Sequence, residues 1–456
     1  MKENSRLKPS LLVSLVIASW RKIDGMKQIA LILFLILLSL EPLQAQNPVP
    51  APPQLGTTLI TGVTIHIGNG KEIQEGAVGF KGGLIDFVGS AALAPKGYSE
   101  VIEAKGKHVY PGFITVNSAL GLMEIDAVRA SRDDREVGGM NPHVRSIIAY
   151  NTDSRITPTV RANGVLMGQI APQGGRIAGS SSVVTFDAWN WEDAAYSIDE
   201  GIHVNWPALR KWDSKTRMRV PNADYEQEVK ELRLFLERAK AYCSGYQKET
   251  QLREAACCGL FDGKQTLYVH SNRAPQMIRA INLAQDLGID KLVIVGGYDA
   301  GLILDVLKDR NVAVMISEVH GLPARADDAI NHTYKLAAQL SEAGILFCLE
   351  NIKEMPEMNA MNLPFQAGTC VAYGLDKREA VSAMTLNTAK ILGIDDRCGS
   401  IEVGKDATLF ISTGDALDMR TNNVERAFIQ GRDLDLDNHQ KFLYRKFKAK
   451  YESMNQ

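Results

Sequence analysis

Between residues 266 and 373, four short apolar runs each lead into a stretch with helical spacing. Residues 266–270 precede 274–287, 291–296 precede 299–309, 312–320 precede 327–343, and 345–349 precede 365–373. A strand followed by a helix returns to the sheet as a parallel neighbour, because only a crossover of a dozen or more residues can reverse the chain that way. Four such units in a row restrict the chain to a doubly wound sheet or a (β/α)8 barrel. Upstream, the apolar runs 165–171 and 180–186 are separated by the turn Pro172-Gln173-Gly174-Gly175, and a charged stretch from 224 to about 258 repeats apolar residues near helical spacing.

The two ends of the chain decide between those architectures. Residues 59–67, 77–81, 84–89 and 101–104 read as strands, with Gly68-Asn69-Gly70 and Lys81-Gly82-Gly83 as turns. That unit of about fifty residues is too small to stand comfortably alone. A second β-like region runs from 399 to 411 and from 424 to 431. The layout is a small β unit split between the two ends of the chain around a long α/β region, with a charged tail at 436–456. Residues 46–56 are a Pro-rich linker. Residues 1–45 read as a signal peptide, with Lys27 before an apolar run at 29–40 and Leu43-Gln44-Ala45 before a cleavage point; Met26 is an alternative start. The run is short of the ~20 residues that a bilayer span needs, so an exported protein, periplasmic or secreted and without a membrane span after cleavage, is expected. A net charge of −2 over 456 residues argues against nucleic acid as a partner. Six cysteines show no CxxC spacing, and the sequence assigns no pair.

Three segments resemble a known family. Lys107-His108-Val109-Tyr110-Pro111-Gly112-Phe113-Ile114 is similar to the entry to the first barrel strand of the amidohydrolase superfamily, in its imidazolonepropionase-like branch. Leu386-Asn387-Thr388-Ala389-Lys390-Ile391-Leu392-Gly393-Ile394 resembles a helix of that family, and the segment from Gly399 to Asp406 its return to the β unit, with Thr408 replacing a final Asp. The resemblance covers about residues 57–432 and implies an α/β fold: a metal-hydrolase (β/α)8 TIM barrel of 109–394, with Val109 to Ile114 as its first strand, and a composite β-sandwich from 57–108 and 395–435. It also implies a divalent cofactor such as zinc, held by His-x-His after strand one, single histidines after strands five and six, and an Asp after strand eight. The matching positions here are Asn117 and Ala119, His270, Gly296 and Ile352. His270 is therefore the retained metal ligand of five, and the metal is expected to be absent or bound at a non-standard site.

The polar residues at strand ends supply the candidates. His270, His320, Glu350 and Asp299 are candidate acid–base residues, since chemistry in this fold gathers at the C-terminal strand ends. His270 also reads as a structural histidine bonded to a neighbouring strand. Glu318 and His320, two apart, share a strand face, and Glu350 shares one with position 352. Asn117, Glu124 and Glu318 are candidate pocket residues; the Gly-rich segment 172–180 lacks a phosphate-loop context and reads as a tight loop over the barrel mouth. The resemblance implies a hydrolase of non-peptide carbon–nitrogen bonds, with a small or cyclic amide as substrate or ligand. The lost ligands leave two alternatives open: a pseudoenzyme binding subunit, or a non-catalytic partner of an intact paralogous amidohydrolase, as a homo-oligomer or a heteromer.

Overall fold

The computed structural model describes residues 49–245, 249–350 and 356–454. The signal peptide and the first three residues of the linker, 46–48, lie outside the described residues, as does Ile352. Strands β1 (Thr57–His66), β2 (Glu72–Lys81) and β3 (Leu84–Ser90) form an antiparallel meander. The chain then returns so that β4 (Glu100–Glu103) and β5 (His108–Pro111) pair parallel to β1.

The barrel entry is one strand later than the motif suggests. Residues Val109 to Pro111 belong to β5 in this first sheet, and the barrel begins with β6 (Phe113–Ser118). Gly112 is the joint between the two. Its N–H donates to the Thr408 carbonyl at 2.9 Å. A Cβ there would lie 2.9 Å from Thr408 Cγ2 and 3.1 Å from Leu166 Cβ, so only glycine lets the chain pass from sheet to barrel.

The barrel wall continues through β7 (Val165–Ile170), β8 (Ile177–Thr185) and β9 (Ala195–Asn205). The hairpin β10 (Arg210–Asp213) and β11 (Met218–Pro221) interrupts it before β12 (Thr266–Ser271), β13 (Leu292–Gly296), β14 (Ala313–Ile316) and β15 (Phe347–Leu349). Eight strands, β6 to β9 and β12 to β15, lie in chain order in one sheet. The result is a nearly closed (β/α)8-type TIM barrel with a separate β-rich region. Helices Ala274–Leu287, Leu304–Asp309, His332–Ala343 and Leu363–Ala372 follow the last four strands. One departure from the regular pattern stands out: β8 is antiparallel to both neighbours. Six residues, 171–176, separate β7 from β8, too few for a crossover helix, so the chain must turn back on itself.

Strands β16 (Leu409–Ser412), β17 (Val424–Ile429) and β18 (Arg432–Asp433) rejoin the first sheet, β16 pairing antiparallel with β5. Both chain ends thus share one hydrogen-bonded sheet. Tyr110, Phe113 and Phe410 form an aromatic contact at the junction, with Phe113 edge-on to Phe410 at 5.0 Å between centroids. A buried ion cluster pins the same junction: Asp187 accepts from Arg161 Nη1 at 2.5 Å, from Arg432 Nη1 at 2.8 Å and from the Ala51 N–H at 2.9 Å.

Cys243, at the end of helix Tyr225–Ser244, forms a disulfide with Cys258; Cys257, Cys348, Cys370 and Cys398 are free and buried. The bridge spans a sequence separation of 15, for which loop-closure entropy gives about 3 kcal/mol. Cys243→Ser with Cys258→Ser is therefore expected to lower the urea-unfolding free energy by up to about 3 kcal/mol; an unchanged midpoint would contradict this contribution.

Candidate active site

A cavity of about 1010 Å³ opens among the barrel strand ends, lined by residues including Asn117, Gln173, His270, Tyr298, Ser317 and Glu350. Glu350 follows β15 directly and is almost wholly buried. Its Oε1 accepts from Asn117 Nδ2 at 2.6 Å and its Oε2 from the Ser317 hydroxyl. Burial pushes the Glu350 carboxyl up to about 7, against the pull of the hydrogen bonds from Ser317 and Asn117.

Asn117 owes its aim to an unusual backbone. It sits at φ 48°, a left-handed conformation that asparagine tolerates better than most side chains. Its N–H donates to Gln169 Oε1 at 2.9 Å, and its Oδ1 accepts from Gln173 Nε2 at 3.3 Å. Gln169 in turn donates through Nε2 to Glu200 Oε1 at 2.7 Å. Two buried carboxylates, Glu350 and Glu200, are thereby joined through two amide side chains.

Glu200 also accepts from Ser181 Oγ at 2.5 Å and from the Tyr268 hydroxyl at 2.7 Å. Gly201 makes room for that ring, since a Cβ there would lie 2.2 Å from Tyr268 Cε2. Burial drives the Glu200 carboxyl up to about 7, opposed by the donors from Gln169, Ser181 and Tyr268. A carboxylate raised in the folded state adds stability that is complete below its unfolded value and is lost as pH rises through the folded value. Relative to Glu200→Gln, the wild type is expected to lose roughly 3 kcal/mol between about pH 4.5 and pH 7. Parallel unfolding curves at all pH values would contradict the buried, protonated assignment.

His270 projects from β12 toward the neighbouring strand. Its Nε2 lies 2.9 Å from His203 Nδ1, so one ring donates and the other accepts. Burial lowers the His270 imidazole to about 4 and, helped by the adjacent His270, holds His203 well below its ordinary value. Both rings are neutral at pH 7, and Tyr268 stacks on His203 at 4.7 Å between centroids.

Asp299 lines the cavity but is neutralised, at 3.0 Å from Arg325 Nη1 and 3.7 Å from Arg273 Nη1. Glu318 lines it too. His320 and Glu124 are not brought in. Strand β14 ends at Ile316, and Glu318 adopts φ 55° with its carbonyl accepting from Gly321 N–H at 2.7 Å. This turn breaks the alternation that would have put Glu318 and His320 on one face. His320 is exposed and bonds Thr369 Oγ1 at 2.7 Å, while Glu124 accepts from Asn151 Nδ2 at 3.1 Å away from the cavity lining.

The residues do not fit the family's metal. Ala119 carries no donor and is fully buried. At the strand-six position, Gly296 has φ 100° and a Cβ would meet Asn272 Oδ1 at 2.5 Å, so a histidine has no room there. His270 Nε2 faces another imidazole, and both Glu350 oxygens accept from neighbouring side chains. A catalytic zinc takes three protein ligands. Among the described residues, no group of three His, Cys, Asp or Glu side chains could hold a metal ion.

Comparison with known proteins agrees with this architecture. The amidohydrolase family profile matches residues 277–434. Imidazolonepropionase of Symbiobacterium thermophilum is 28% identical over 144 residues, covering 25% of this chain and 33% of that protein. Adenine deaminase 1 of Latilactobacillus sakei is 26% identical over 143 residues, covering 31% of this chain and 23% of that protein. The chain thus matches a third or less of the length of these curated relatives. Among solved structures, an amidohydrolase from Thermotoga maritima superposes with a TM-score of 0.71 at 24% identity, covering 83% of this chain and 99% of that one. A Xaa-Pro dipeptidase with bound methionine superposes at 0.52 and 14% identity, covering 83% and 100%. Residues 277–434 thus match the amidohydrolase family, and the barrel with its split β-rich region has the fold of that Thermotoga maritima amidohydrolase.

Proposed function

We propose that this protein is an exported hydrolase of a small amide, working at the barrel mouth through Glu350. The observation that carries the reading is a buried carboxyl, balanced near neutrality and facing a cavity of ligand size. In its ionised form Glu350 accepts a proton from water as the water attacks the amide carbonyl. The protonated form then delivers that proton to the departing amine as the C–N bond breaks. Asn117 and Ser317 orient the carboxyl by donating to its two oxygens. The neutral His270–His203 pair supplies no proton at pH 7 and serves to position strand ends. The disulfide supports export, since such bonds persist in oxidising compartments.

A second reading, a non-catalytic binding subunit of an oligomer or of a pair with an intact paralogue, is favoured by one observation. Both Glu350 oxygens and the His270 ring nitrogen are already satisfied by protein partners. The two readings separate in one experiment, in which purified protein is mixed with a panel of cyclic and linear amides and followed for both thermal stabilisation and carboxylate product. Stabilisation with product supports the hydrolase. Stabilisation with no product at stoichiometric enzyme leaves the binding subunit, and neither effect removes both.

A further inference from the structure

We propose that the ligand of this cavity carries a carboxylate, gripped by Arg273 at the start of helix Ala274–Leu287 and Arg219 on the hairpin β10–β11. The inference rests on the reading of the barrel mouth as the ligand site. Four arginines, Arg210, Arg219, Arg273 and Arg325, line the cavity. They are not equivalent.

Arg325 is committed within the protein. Its Nε donates to Asp328 Oδ1 at 2.9 Å, its Nη2 lies 2.8 Å from the same oxygen, and its Nη1 pairs with Asp299 at 3.0 Å. Arg210 donates to the Arg219 carbonyl and so ties the hairpin together. Arg273 and Arg219 are left with donors to spare. The Arg273 guanidinium lies 5.7 Å from the Tyr298 ring centre and only within 3.7 Å of Asp299, beyond hydrogen-bond reach. Its Nη1 is buried and has no hydrogen-bond partner among the described residues. A buried charged donor without a partner is costly, and an anionic ligand relieves that cost.

Against the four arginines the lining sets three carboxylates, Asp299, Glu318 and Glu350. Asp299 is already paired with Arg325, and burial holds Glu350 near half protonation at pH 7. The planar guanidinium fork matches a carboxylate in two parallel hydrogen bonds, which a neutral amide oxygen cannot provide. A ligand with an amide at one end and a carboxylate at the other, such as an N-acyl amino acid, meets both Glu350 and the arginines.

Isothermal titration of the full chain tests this with N-acetyl amino acids bearing small, branched, basic and acidic side chains, each beside its uncharged C-terminal amide. At least one acid is expected to bind roughly tenfold or more tightly than its amide, with the preference weakening as salt rises. Arg273→Gln, and separately Arg219→Gln, should collapse that preference, bringing the acid's affinity to within a few-fold of its amide's. Equal binding of acids and amides, absence of any binding across the panel, or a preference that survives both variants would overturn the proposal. Acid preference without turnover leaves the anion site standing and removes the hydrolase reading. Turnover with no acid preference removes the anion site alone.

Discussion

Replacing Asp187 with alanine is expected to destabilise the protein by roughly 3–5 kcal/mol, the largest effect of any single change at the junction. The side chain is buried and holds two guanidinium groups, with Arg161 at 2.5 Å and Arg432 at 2.8 Å. Removing the carboxylate leaves a buried Arg161 without its counter-charge, and desolvation of that cation is then uncompensated. The loss also cuts a mechanical tie. Arg432 belongs to β18 and Arg161 to the helix before β7, while the Ala51 N–H binds the same carboxylate, so three parts of the chain converge on one residue. Trp189 and Trp191 follow immediately and report the local environment by fluorescence. An Asp187→Ala protein with the wild-type urea midpoint would show that the cluster contributes little. Asp187→Asn should fall between the two, because it keeps some of the hydrogen bonds but none of the charge.

Glu350→Gln is expected to lower kcat/KM for amide hydrolysis by roughly 10²–10⁴-fold, the range that general acid–base groups contribute. Glutamine preserves the shape and can still accept from Asn117 or Ser317, so folding should survive; relief of burial of an ionisable group should leave stability unchanged or raised at pH 8. The pH dependence supplies a sharper signature. The ionised form accepts the proton from water, so kcat/KM should rise through the Glu350 value of about 7 as pH increases. That limb should vanish in the glutamine variant. Residual activity within a few-fold of wild type, or an unchanged profile, would assign the chemistry elsewhere. His320→Ala, at an exposed residue outside the cavity lining, should leave the rate unaltered.

What the sequence discloses and what it hides follow from local physics. The strand–helix alternation after residue 266 is readable because its apolar runs are short, buried on both faces and separated by amphipathic helices. Helix Ala274–Leu287 falls at its expected limits, ended by Gly288 in the left-handed conformation. Glu350 and His270 are legible as polar residues at strand ends. Glu200, His203 and Gln169 are not picked out, although they build the network behind the site. They lie in strands β7 and β9 on the antiparallel stretch of the barrel, where inward polar side chains imitate the alternation of a solvent-facing strand. A weak signal existed in the run Ser180-Ser181-Ser182 and in Glu200 and His203 flanking Ile202, since polar residues within an apolar run must find partners inside. The misplacement of His320 has a different origin. A left-handed backbone at Glu318, a residue type that rarely adopts it, ends the strand early and turns His320 outward.

On the proposed function, the family's metal address is rebuilt into a hydrogen-bonded acid–base centre, with Asn117 and Ser317 holding Glu350 and with His203 facing His270. Zinc content after equilibrium dialysis of the purified full chain tests it most directly. The expected result is the same substoichiometric zinc in the wild type and in His270→Ala, with no gain in amide hydrolysis when zinc is supplied. One tightly held zinc per chain, lost in His270→Ala, would contradict it.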